Sequence, residues 1–300
     1  MTFTIQGVNC AAATPVTADG SPNFELFSNH CKSLLSEGCH GVAILGTTGE
    51  ANSFGLSDRQ SLLDYILSDG VPAEALLPGT SAPSTSDTLT LTKHAVKNQV
   101  KGVVLLPPYY YKNVSDEGLY RFYSHIVEGV GAEALKVVFY HIPQVTQIPL
   151  SHDLIERLMT AYPGTFVAIK DSSGDLKNMN SMVERFPDLA VLAGADPLML
   201  PLLKIGGAGC ITATSNLRAN DLRMVWDFWN DPLRANDVEA AQARINDWRS
   251  LTNRYVQLPT VKTMLARSRG DIGWLNLMPP LVELTEAERA DIWTEMDRLS

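Results

Sequence analysis

An α/β chain closed into a (β/α)8 barrel, with a small C-terminal helical domain, is the fold class predicted by three observations. Short apolar or β-branched runs recur along the chain, each followed by a polar loop and a stretch of helical period, the signature of parallel βα units. Eight such runs are present, the number that closes a barrel. A doubly wound open sheet would normally carry a glycine-rich turn after its first strand, and Ala13-Thr14-Pro15-Val16 stands there instead.

The runs lie near Gly7–Ala13, Gly41–Gly46, Ala75–Pro78, Gly102–Leu106, Lys136–Tyr140, Phe166–Lys170, Ala190–Ala193 and Ala208–Ile211. Helices are expected to begin near Asn23, Ser57, Ser86, Ser115, Ser151, Asp175, Asp196 and Asn220, where several of these side chains suit the N-cap. Gly206-Gly207-Ala208-Gly209 lacks the Lys-Ser/Thr of a phosphate-binding loop and reads as a tight turn into the last strand. Strands stop beyond about Asp221, so residues 1–220 are assigned to the barrel and 221–300 to the helical region.

With 300 residues, 45% hydrophobic and 19% charged, the chain can bury a large core, which disfavours disorder. No run approaches 18 uninterrupted apolar residues and Met1–Gln6 lacks the basic end and apolar core of a secretory signal, so no membrane partner and a cytoplasmic location are expected. Cys10, Cys31, Cys39 and Cys210 show no C-x-x-C spacing and read as mostly buried small hydrophobes. A net charge of −9 without a basic block argues against nucleic acid as partner.

Polar residues at the C-terminal ends of barrel strands are functional candidates, because active sites of this architecture lie there. Lys170 closes the run Thr165-Phe166-Val167-Ala168-Ile169-Lys170, and alternation puts Phe166, Ala168 and Lys170 on one face. Either the amine snorkels into water at the strand end, with Asp171 a solvated loop residue beside it. Or it is a desolvated amine whose pKa falls well below the ordinary value of about 10.4, able to attack a ketone. Gly46-Thr47-Thr48-Gly49-Glu50 ends the second run with glycines and hydroxyls that suit a carboxylate. Tyr109-Tyr110-Tyr111 follow the fourth run and cannot all be core, so at least one should reach the mouth or a subunit interface. Tyr140 places a phenol at the end of the fifth run; the adjacent His141 reads as a hydrogen-bonded loop residue, with no partner at metal-ligand spacing.

Through Gly46-Thr47-Thr48-Gly49-Glu50, Tyr140-x-x-Pro143, Lys170-Asp171-x-x-Gly174 and Gly209-Cys210-Ile211-Thr212 the chain resembles the pyruvate-dependent class I aldolases that include dihydrodipicolinate synthase and N-acetylneuraminate lyase. The resemblance runs from Asn9 to Leu281 and implies a TIM barrel with a C-terminal helical domain, commonly a homotetramer, using no metal or organic cofactor. It implies that Lys170 forms an imine with pyruvate or another 2-oxo acid, that Gly46, Thr47 and Thr48 with the backbone near Ile211 hold the carboxylate, and that Tyr140 relays protons. Tyr110 matches a tyrosine that enters from a neighbouring subunit to join Thr47 and Tyr140; an extra residue before Ser115 leaves Tyr109 and Tyr111 as alternatives.

Departures from the pattern concern the aldehyde half. The synthases carry an arginine where this chain has Val145, and valine cannot replace a bidentate guanidinium. Sialic acid lyases read a polyol with residues that correspond here to Asp196, Pro197 and Ala213, of which only Asp196 keeps its polar group. Ser172, Asp196, Ala213, His141 and Val145 are therefore expected around the distal end of the substrate. The expected activity is reversible cleavage of a 2-oxo-3-deoxy sugar acid, or a similar 4-hydroxy-2-oxo acid, to pyruvate and an aldehyde. A sugar-acid dehydratase or a synthase-like condensation through the same imine is the alternative, and a non-catalytic 2-oxo acid sensor a remote third.

Overall fold

A computed structural model describes residues 3–131 and 133–299 of the chain. Seven parallel strands form one sheet: β1 (Gly7–Ala11), β2 (Gly41–Ala43), β3 (Val103–Leu105), β4 (Val137–His141), β5 (Phe166–Asp171), β6 (Ala190–Ala193) and β7 (Gly209–Thr212), in the order β2-β1-β7-β6-β5-β4-β3. The remaining run is not a laddered strand. It is an extended segment between β2 and β3, where Leu77 and Gly79 donate to Val42 and Ile44 while Val104 donates to the Pro78 carbonyl. Pro78 has no N–H to return, which limits this eighth stave to isolated bridges at Val42↔Leu76 and Gly79↔Val104. With it in place the ring closes.

Two apolar clusters follow from the pleat. Val137, Phe139 and Ile169 face outward to the helical sheath, while Val138, Ala168, Leu192 and Ile211 fill the lumen. Alternation fails at one place that matters. The β4–β5 register shifts between Val137↔Phe166 and Val138↔Ala168, so Val167 is an extra residue bulged out of the ladder. Phe166 thereby turns outward to stack on Phe139, centroids 4.5 Å apart, and does not share the face of Ala168 and Lys170 as expected from strict alternation.

Several helices start where expected. Asn23, Ser115, Ser151 and Asp175 accept from backbone amides of the first turn and cap Phe24–Ser36, Asp116–Val130, His152–Ala161 and Leu176–Arg185. Ser84 rather than Ser86 caps Thr85–Lys97, and Leu56–Ser68 begins at Gly55, whose N–H is taken by the Asp58 carboxylate. Gly206 and Gly209 have φ of +97° and +120°, and a Cβ on Gly209 would lie 2.2 Å from the Gly7 carbonyl, so the turn into β7 requires glycine. All four cysteines are buried and free.

The last part of the chain is helical: Ser215–Phe228, Ala235–Thr252, Gln257–Arg269 and Glu286–Leu299. Positions 220 and 221 both fall inside the first of these, which starts earlier than Asn220 and bends at Arg218. Among the described residues no helix is long and apolar enough to cross a membrane.

Candidate active site

Lys170 and Tyr140 are register partners across β5 and β4 and are 6% and 5% exposed. The Lys170 ammonium lies 4.2 Å from the centroid of the Tyr140 ring, inside the C-terminal end of the lumen. It does not snorkel outward. Nor is Asp171 a solvated loop residue: it completes β5, is fully buried, and its carboxylate accepts from the Ser173 amide (2.7 Å) and Asn178 Nδ2 (2.8 Å). Those bonds tie the end of β5 to the helix that follows, which holds Lys170 rigidly one residue earlier.

The Tyr140 hydroxyl meets Thr47 Oγ1 at 3.4 Å. Burial pushes the phenol pKa up, but the Lys170 charge and polar contacts with Thr47, Lys170 and Ser172 outweigh it, so the phenol titrates below its ordinary value. Ser172 is placed by its N–H, which donates to the His141 carbonyl at 2.8 Å, and by Gly194, where a Cβ would fall 1.9 Å from Ser172 Oγ. A small cavity beside Tyr140 is lined by Gly46, Thr47, Gly79, Ser81, Val104 and Leu106. Thr48 neighbours Thr47 in the same turn, and Ile211 reaches the lumen from β7, with Ala213 just beyond the strand. A larger cavity of about 460 Å3 involves residues at the opposite end, among them Phe186, Trp226 and Trp229. Its lining holds no titratable or nucleophilic side chain, so the chemistry is sought at the Lys170 end.

The structure places the expected distal residues His141, Asp196 and Val145 in three different settings. His141 follows the outward parity of Phe139; its Nδ1 accepts from the Leu150 amide at 3.3 Å, and burial holds the imidazole pKa below its usual value against the pull of Asp171. Asp196 is 0% exposed and accepts from Thr214 Oγ1 at 2.9 Å, with Arg249 Nε 3.9 Å away. Its backbone carbonyl accepts from Gln242, so this residue joins the barrel to the helix Ala235–Thr252. Val145 sits exposed on the single turn Pro143–Thr146.

The tyrosine run divides into one held and two exposed side chains, and the neighbours Tyr110 and Tyr111 do not alternate. Tyr109 is held by Asn52, its hydroxyl donating at 2.8 Å, whereas Tyr110 and Tyr111 are 71% and 72% exposed and pack edge to face. Within one chain Thr47 and Tyr140 are joined by a hydrogen bond and Tyr110 projects away from the protein surface.

Two residues around the site had no assigned role in the sequence. Asn216 bonds the ends of β1 and β7, accepting from Ala13 N–H (3.0 Å) and donating to the Ala11 (2.8 Å) and Ala213 (2.7 Å) carbonyls. Lys262 lies in an unbroken buried stretch, residues 259–266, and pairs with Glu50. A lone cation in Pro-Thr-Val-Lys-Thr-Met-Leu-Ala is the same signal that singled out Lys170, and it is readable once the helix is known to be buried.

The sequence model of the Dihydrodipicolinate synthetase family matches residues 4–297. An uncharacterized DapA-like lyase of Chloroflexus aurantiacus is 31% identical over 98% of this chain and 97% of its own. The 4-hydroxy-tetrahydrodipicolinate synthase of Bacillus subtilis is 31% identical, over 97% of this chain and 98% of its own. The crystal structure of dihydrodipicolinate synthase from Agrobacterium tumefaciens superposes with a TM-score of 0.90 at 29% identity, covering 98% of this chain and 99% of that one.

Proposed function

The chain belongs to the dihydrodipicolinate synthetase family, in a superfamily of pyruvate-dependent class I aldolases and lyases, and we propose that it cleaves a 4-hydroxy-2-oxo acid of the 2-oxo-3-deoxy sugar acid type reversibly to pyruvate and an aldehyde. The observation that carries this is the pairing of the Lys170 amine with the Tyr140 phenol, itself bonded to Thr47, at the C-terminal end of the lumen. An anion-binding turn beside a buried amine and a phenol of lowered pKa is a set for carbonyl chemistry.

In the proposed reaction the neutral Lys170 amine adds to C2 of the 2-oxo acid, one proton is taken up from solvent and water leaves, giving a protonated imine. Gly46, Thr47 and Thr48, with the backbone near Ile211, hold the carboxylate. Tyr140, as phenolate, takes the proton of the C4 hydroxyl; the C3–C4 bond breaks, its electron pair moves to C3 and neutralises the iminium as an enamine, and the aldehyde departs. Tyr140 gives that proton to C3, and hydrolysis of the resulting iminium releases pyruvate and one proton to solvent and restores the neutral amine. The protonated imine is the electron sink, so no metal or organic cofactor is needed. Tyr110 of a neighbouring subunit would complete the relay, in a cytoplasmic homotetramer, and Ser172, Ala213 and Val145 would border the aldehyde half.

A second reading, condensation of pyruvate with an aldehyde as in the named synthases, is favoured by the relatives and disfavoured by the exposed, uncharged Val145. Borohydride reduction in the presence of pyruvate should add one stable mass to Lys170, and 2-oxo-3-deoxy acids should release pyruvate in a coupled assay. An adduct on another lysine, or none, removes the basis of the proposal. Condensation activity without pyruvate release would select the second reading.

A further inference from the structure

The turn proposed to hold the substrate carboxylate is anchored from outside the barrel. Residues 46–51 fold back through hydrogen bonds from Glu50 N–H to the Thr47 carbonyl and from Ala51 N–H to the Gly46 carbonyl, both 3.2 Å. The turn is entered and left through two non-glycine residues in the left-handed region, Leu45 at φ +54° and Glu50 at φ +55°. Such conformations persist only where the surroundings over-determine them.

At Glu50 those surroundings are the C-terminal helices. Its carboxylate pairs with the Lys262 ammonium, both side chains fully out of water, and Oε2 accepts from the Met278 amide at 3.2 Å. Lys262 also donates to the Asn276 carbonyl at 3.1 Å, and Asn276 Nδ2 donates to Val16, after β1, at 3.0 Å. A buried ion pair adds little net stability, because desolvating two charges offsets their attraction; a defined geometry is what it supplies. Here it clamps the residue three positions after Thr47, and Glu50 cannot turn without stranding the ammonium.

We propose that Glu50 and Lys262 are positioning residues for the 2-oxo acid site, through which the helix Gln257–Arg269 sets the conformation of the Gly46–Thr48 turn and hence the affinity for the substrate carboxylate. What the turn binds rests on the aldolase function proposed above; what the pair does to the turn does not.

The test compares wild type, Lys262→Met, Glu50→Met and the double variant by hydrogen exchange of residues 45–51, thermal unfolding, and the pyruvate concentration that half-saturates borohydride trapping. Each single variant should exchange faster in this segment and need more pyruvate, both by about tenfold, with trapping at saturation little changed. The double variant has no lone buried charge, so its thermal midpoint should recover while loop protection and pyruvate saturation do not. A purely structural pair predicts that all three recover together, and that outcome, or wild-type protection in the folded variants, overturns the proposal. Should the single variants not fold, the double variant decides alone. If wild type forms no adduct, the aldolase function falls, and the exchange comparison still decides what the pair does to the turn.

Discussion

Tyr140 is where one proton governs the proposed chemistry. Its pKa lies below the ordinary phenol value because the Lys170 charge and its hydroxyl partners outweigh burial. The active base is the phenolate, so turnover should rise with pH through an apparent pKa below 10, the ordinary value of a tyrosine. Tyr140→Phe should lose about 100-fold or more in kcat and abolish that limb of the pH–rate profile, while Lys170 still traps pyruvate. His30 gives the matching prediction for stability. Burial lowers its pKa from 6.5 to about 4 against a favourable hydrogen bond to Asn216, so as pH falls the unfolded chain takes up the proton first. Its contribution is complete above 6.5, is lost as pH falls from 6.5 towards 4, and amounts to about 3 kcal/mol. His40 and His141 are displaced in the same direction and steepen the same slope. Unfolding midpoints of His30→Gln should therefore depend less on pH in that window; an equal slope would exclude His30 as a source. At this scale Lys170, Tyr140 and Thr47 were legible because a cation, a phenol and a hydroxyl at strand ends are exceptions in apolar runs. His141 is hydrogen-bonded, as its sequence setting suggested, though it closes β4 and does not lie in a loop; identity and spacing do not say on which side of a strand end a side chain such as Asp196 leaves.

At the scale of elements, β5 and β6 meet at a contact no substitution fits. A methyl group on Gly194 would overlap Ser172 Oγ at 1.9 Å and the Ser172 backbone at 2.8 Å. Gly194→Ala should cost about 1–3 kcal/mol by overpacking and move Ser172 off the phenol, lowering kcat more than it raises KM. Adding Ser172→Gly should restore part of the stability, as read by chemical denaturation, without restoring kcat; full recovery of both would deny Ser172 any part in the site. Strand positions were legible from apolar runs, and caps from Asn, Ser and Asp before helical periods. Two features were not. The bulge at Val167 depends on how β4 and β5 pair, and the reduced ladder at Pro78 on which neighbours the segment meets, both of which involve residues far apart in the chain.

Across the whole molecule, closure depends on a few buried polar ties. Asn216→Ala would leave the Ala13 amide, two carbonyls and His30 Nε2 without their partner and should cost about 3–5 kcal/mol, lowering the urea midpoint with little change in m. Tyr110 and Tyr111 should become buried in the proposed homotetramer, so replacing both by Asp should shift sedimentation towards smaller species; unchanged assembly would place the interface elsewhere. The (β/α)8 architecture, the helical C-terminal region and the positions of Lys170, Tyr140 and Thr47 at or just after strand ends were legible in the sequence alone, because pleat, helical period and the cost of burying charge act locally. Only the tertiary structure decided that Phe166 leaves the Lys170 face, that Asp196 serves the helix behind it, and that Glu50 answers to Lys262, 212 positions later by their residue numbers. Each depends on long-range pairing, where the partner that satisfies a buried polar group is chosen by packing and leaves no periodic trace in the chain.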